Sequence, residues 1–220
     1  VLIDRPGSEE RLRQLAAEIC FEAYKVVRID PAGEHPGVAG RIRDTRAMAR
    51  VLESTEGIPR IGEFLFDALR EELGGDRAVR LSTDPAAARD GSVLVAGSNG
   101  GLPALLPEHL GPGPVLVVDV SVPRAVSPRV AAERPAVTVI RGGRVQLPND
   151  QDLAVPGLTL EDGQVLACMA ETMLLGLTGI GADHSCGGTT KMQVKKILEL
   201  AKIHGFEVQS CPVSRRSPPS

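Results

Sequence analysis

"GSVLVAGSNGGLPALLPEHLGPGPVLVVDVSVP", residues 91–123, holds two short apolar runs, 92–97 and 114–121, each followed by a polar or glycine-rich turn. A continuous apolar run of this length, bounded by Gly and Pro, reads as a strand buried on both faces. Strands of this kind alternating with helices imply a parallel sheet covered on both sides. The expected fold is therefore α/β, a doubly wound parallel sheet. Ligands of such sheets bind outside the carboxyl ends of the strands.

Working outward, "AVTVIRGGRV", 136–145, supplies a further strand and a glycine turn. "AVRLS", 78–82, supplies another upstream. "VLID", 1–4, is a strand stopped by Pro6-Gly7, and "SEERLRQLAAEIC" then opens a helix with acids in its first turn. "AYKVVRI", 23–29, reads as a strand, 30–40 as a Pro/Gly loop, and 44–54 as a short helix capped near Asp44 or Thr45. "IGEFLFDALREELGG", 61–75, is a helix ending at Gly74-Gly75. Residues 102–110 read as a brief helical segment, and two C-terminal helices are expected at 160–179 and about 189–204. The Pro/Ser-rich tail, 208–220, is expected to be disordered.

Of 220 residues, 42% are apolar and 24% charged, the balance of a globular chain. The net charge of −3 gives no electrostatic reason for nucleic acid or an anionic membrane as partner. Aromatics, at 2%, are too few for a single-strand stacking platform. No apolar run approaches the ~20 residues of a membrane span. The four cysteines, Cys20, Cys168, Cys186 and Cys211, form no CxxC pair; dispersed thiols fit a reducing, cytoplasmic setting. The chain opens at Val1 inside an apparent strand, so a piece of a longer protein is expected.

The residues at the strand ends are the candidates for chemistry. Ser98 and Asn99 follow a strand beside two glycines and can bond ribose hydroxyls or a carboxamide; a plain turn is the alternative. Asp119 ends a buried strand, where it either meets a ligand or accepts bonds from loop N–H groups. If "VLID" is the second strand of a nucleotide-binding unit, Asp4 stands where the ribose of NAD is held and Arg5 where the 2′-phosphate of NADP is; for Arg5 a solvated turn residue is the alternative. On that placement the first strand and its glycine-rich phosphate loop lie outside this chain.

"QVLACMAETMLLGLTG", 164–179, carries Cys168 and Glu171 on one helical face, beside a core stripe of Val165, Met169, Thr172, Met173 and Leu177. Mid-helix, Cys168 reads either as a small buried hydrophobe or as a nucleophile. His184, in the following loop, is the nearby candidate acid or base. Cys186 and His204 read as incidental and structural respectively.

"LACMAETMLL", the loop from His184, the helix "MQVKKILELAKIHGF" and the turn "VIRGGRVQLPND" together resemble the C-terminal portion of the long-chain acyl-ACP reductases. "VLVVDVSVPRAV" is also similar to a strand of glutamyl-tRNA reductases and shikimate-dehydrogenase-like proteins. The resemblance covers about 1–19 and 77–207, and 20–76 looks inserted. It implies a Rossmann-like NADP-binding domain over 1–207 that uses NADPH. Cys168 would take an acyl group from acyl carrier protein or acyl-CoA, and reduction would release an aldehyde. A dehydrogenase without a covalent intermediate and a non-catalytic Rossmann module are the alternatives, and self-association as a homo-oligomer stays open. "HSCGG" departs from the aromatic-containing loop of that family.

Overall fold

The computed structural model describes residues 1–54, 57–74, 79–98, 100–151, 153, 160–181, 184–185 and 189–208. The chain is mixed α/β, with a three-stranded parallel sheet at its centre of sequence. That sheet is built from β3 (Val93–Ala96), β4 (Val115–Asp119) and β5 (Val137–Arg141), in that order. Its register pairs Val95 with Val118 and Ala96 with Asp119; Asp119 in turn pairs with Arg141.

Pleating divides the sheet residues between two faces. Leu94, Ala96, Val115, Val117 and Val139 pack with Ala88, Leu105, Leu110, Val126 and Val130 into one core cluster. Val93 and Val95, on the other face, are 64% and 73% exposed. Coverage of both faces is therefore not met: the layer over the second face is missing among the described residues. β3 is also an edge strand. A separate parallel pair, β1 (Leu2–Ile3) with β2 (Leu81–Ser82), joins no ladder of this sheet, although Ile3 packs against its core.

The expected strand at 23–29 is instead the end of one long helix, α1 (Glu9–Ile29). Leu12, Ala16, Cys20, Ala23 and Val27 recur at helical spacing and are all buried. Ala16, Cys20, Ala23 and Val27 pack with α2 (Gly37–Arg43), α3 (Arg46–Glu53) and α4 (Ile61–Glu72) around Phe66, Ile42 and Met48. Part of the expected loop 30–40 is thus helical. α3 starts where the sequence places it: the Thr45 side chain accepts a bond from the Met48 N–H at 3.2 Å. In the 102–110 segment only a 3-10 turn forms, Pro107–His109, since Pro103 and Pro107 interrupt any longer ladder.

The C-terminal part has its own core of Leu147, Val165, Ala170, Leu174 and Phe206. β6 (Arg144–Gln146) pairs antiparallel with β7 (Gln164–Leu166) and with β8 (Glu207–Val208). Two helices, α6 (Ala167–Leu177) and α7 (Lys191–Ile203), cover it. The helix expected from 160 starts only at Ala167, because the residues just before it are committed to pairing with β6. The tail expected at 208–220 lies outside the described residues except for Val208. No helix among the described residues is long and apolar enough to cross a membrane.

Candidate functional site

The tips of β3 and β4 are knitted together by short polar links. The Val120 N–H donates to the Ala96 carbonyl at 2.9 Å, and the Ser98 N–H to Ser121 Oγ at 2.9 Å. Ser121 Oγ, nearly buried, donates onward to the Ala96 carbonyl at 3.2 Å. Ser98 Oγ accepts the Gly100 N–H at 3.1 Å. Asn99 lies outside the described residues. Ser121 was not singled out by sequence, and only the register of the two strands exposes its role.

Asp119 is 1% exposed. Its carboxylate accepts N–H bonds from Ser121 at 3.0 Å, Ala125 at 3.4 Å and Val126 at 3.3 Å. The Arg141 guanidinium reaches it at 3.4 Å. These bonds tie the carboxylate to the 120–126 loop. Arg141 belongs to this cluster and was missed in sequence, although "VIRGGRV" displays it.

Asp4 and Arg5 follow β1. The Asp4 carboxylate accepts the Arg5 N–H at 2.8 Å and stands 4.0 Å from Arg11. Arg5 is exposed. No ladder joins β1 to the tips that carry Ser98 and Asp119, so the expected single row of strand ends is split in two.

Cys168 is exposed. It is the second residue of α6, not mid-helix, and so lies in the turn where a helix dipole favours an anion. The core stripe is correspondingly shifted: Ala170 and Leu174 are buried, while Thr172 and Leu177 face solvent. The start of α6 is tied to the parallel sheet through two glycines. The Ala167 N–H donates to the Gly143 carbonyl at 2.8 Å, and the Gly142 N–H to the Asp119 carbonyl at 2.9 Å. Both glycines are required here. A Cβ on Gly142 would stand 2.7 Å from Val120 Cγ1, and Gly143 has φ +70.

One turn along α6, Glu171 Oε1 lies 3.2 Å from Nδ1 of His184, whose ring is almost fully enclosed. Gln193 holds the His184 carbonyl through its side-chain amide. The same Gln193 completes a capping box with Thr190 at the start of α7. The sequence pairs His184 with Cys168; the structure joins it to Glu171, on the same face of α6, and no hydrogen bond links ring and sulfur among the described residues. Cys186 lies outside those residues.

An open depression of about 460 Å³, lined by Glu34, His35 and Arg43 among others, sits by α2, in the helical part of the chain and not at the strand tips. No cluster of three or more His, Cys, Asp or Glu able to hold a metal ion occurs among the described residues. Fold and site together define a mixed α/β chain with an exposed cysteine in the first turn of α6, whose start bonds to the β5–β6 turn. No protein-family model matches this chain. No curated protein matches it either.

Proposed function

We propose that this chain is the Rossmann-like part of an NADPH-dependent reductase that converts an acyl thioester to an aldehyde. The supporting observation is the placement of Cys168: an exposed thiol in the first turn of α6, two backbone hydrogen bonds removed from the end of β4. The acyl donor would be acyl carrier protein or acyl-CoA.

In this reading the Cys168 sulfur attacks the thioester carbonyl. A new S–C bond forms as the Cys168 thiol gives up its proton, the carrier C–S bond breaks, and the carrier thiolate leaves with that proton. Glu171 fixes the orientation of His184 through Nδ1, which leaves Nε2 to hand that proton over. NADPH, when bound, supplies the hydride that reduces the acyl carbon. The C–S bond to Cys168 then breaks, aldehyde departs, and the thiolate takes a proton from water to restore the thiol. Arg5, exposed past β1, and Asp4 suit the adenosine ribose end of the cofactor.

The test is intact mass after mixing with acyl-CoA. An acyl adduct that disappears in Cys168→Ser is expected. Turnover without any adduct would favour the shikimate- or glutamyl-tRNA-reductase-like dehydrogenase reading.

A second reading is favoured by the edge of β3 and the exposed Val93 and Val95. An unpaired apolar edge is a template for another strand, which suits a non-catalytic module that takes up a partner chain. Fluorescence titration separates the two readings: absence of NADPH binding at millimolar cofactor supports the module.

A further inference from the structure

Three arginines lie around the turn between β5 and β6. Arg141 ends β5, directly in register with Asp119. Arg144 begins β6, just past Gly142 and Gly143. Arg124 lies in the loop that wraps the Asp119 carboxylate and is exposed. Positive charge outweighs negative here. The buried Asp119 is shared among backbone N–H groups and reaches Arg141 by one long contact of 3.4 Å. Arg144 meets the Gln164 amide oxygen at 3.2 Å and Glu161 at 3.7 Å, and that glutamate is 71% exposed. No carboxylate pairs with Arg124 among the described residues.

Hydrogen-bonding capacity is also left over. Nε of both Arg141 and Arg144 is buried with no partner among the described residues. A buried donor left unpaired is costly, and two charged ones side by side ask for an acceptor. Burial first, then the charge of Arg124, draws the Arg141 guanidinium below its ordinary range; Asp119 opposes this and Arg144 adds to it. The same turn receives the start of α6, whose first N–H groups have no side-chain cap.

We propose that Arg124, Arg141 and Arg144 around the Gly142–Gly143 turn form a binding site for a phosphate group. Guanidinium forks match tetrahedral oxyanions, and more than one cation suits a dianion better than a carboxylate. The phosphate could be carried by a dinucleotide or by a pantetheine-type acyl carrier. The site rests on the arginines and does not depend on thioester chemistry at Cys168.

The test uses the whole 220-residue chain. Inorganic phosphate is titrated calorimetrically and by thermal melting, against chloride at matched ionic strength. Phosphate is expected to bind and to raise Tm, as any native-state ligand does. Arg124→Ala and Arg144→Gln should each weaken binding about tenfold, and Cys168→Ser should leave it unchanged. Arg124 is exposed, so its variant folds and reads binding alone. Displacement of phosphate by NADPH assigns the site to the cofactor, and displacement by coenzyme A to the substrate. Phosphate that binds no better than chloride, or binds both arginine variants like the parent, overturns the proposal.

Discussion

At Cys20 the thiol is enclosed by the α1 side of the helical core, and burial pushes its pKa from an ordinary 9.0 up to about 11. Cys168 stands in solvent at the start of α6. Relative to an ordinary thiol, two pKa units alone leave Cys20 roughly a hundredfold less thiolate near neutral pH, and enclosure slows access further. Brief alkylation of the native chain, followed by peptide mapping, should therefore modify Cys168 and spare Cys20 until denaturant is added. Equal labelling of the two would contradict the burial of α1. Asp119 offers a second single-residue test. Asn keeps the volume but turns an NH2 group toward the N–H donors of the 120–126 loop and leaves Arg141 without its counter-ion. Asp119→Asn is expected to cost roughly 2–4 kcal/mol, read from urea unfolding. A loss below ~0.5 kcal/mol would mean that the loop holds itself without that carboxylate.

Among the elements, the start of α3 depends on a residue distant in sequence. The Glu72 carboxylate of α4 accepts the Arg46 N–H at 2.6 Å and the Ala47 N–H at 3.0 Å. These bonds, led by that to Arg46, hold its pKa below the ordinary carboxylate value. A carboxyl group lowered in the folded state stabilises above its unfolded pKa and loses that contribution as pH falls through the folded value. Glu72→Gln should therefore melt a few degrees lower than the parent near about pH 7, with the gap closing toward about pH 3. A gap that stays constant with pH would assign the effect to packing. Elements with strong local signals were legible in advance: the apolar runs of β4 and β5, the Thr45 cap and the α4 stop. The second half of α1 was not, because Val26 and Val27 resemble a strand while the stripe that continues the helix is made of small residues, Ala16, Cys20 and Ala23. The start of α6 was equally hidden. Its boundary is set by pairing of Gln164–Leu166 with β6, a contact across the turn that no local pattern carries. That boundary decides whether Cys168 sits mid-helix or in the first turn. The arginine cluster was missed for a related reason: Arg124, Arg141 and Asp119 meet only once the register of β4 against β5 is known.

At the scale of the whole molecule, three hydrophobic clusters among the described residues take the place of one two-sided sheet core. The parallel sheet contributes only one of its faces to them. Val117, fully enclosed, and Val95, 73% exposed, lie on adjacent strands but on opposite faces. If the second face truly faces water in the isolated chain, substitutions on the two faces must behave differently. Val117→Ala removes two enclosed methyl groups from the core and should cost roughly 2 kcal/mol. The Val93→Thr, Val95→Thr pair keeps β-branching and loses little burial, so its cost should stay within ~0.5 kcal/mol. The same pair should also reduce self-association, because it removes apolar surface next to an unpaired strand edge. Urea unfolding and sedimentation of the three proteins read both effects. A double threonine variant as destabilised as Val117→Ala would mean that something in the folded chain, or a second copy of it, already covers that face.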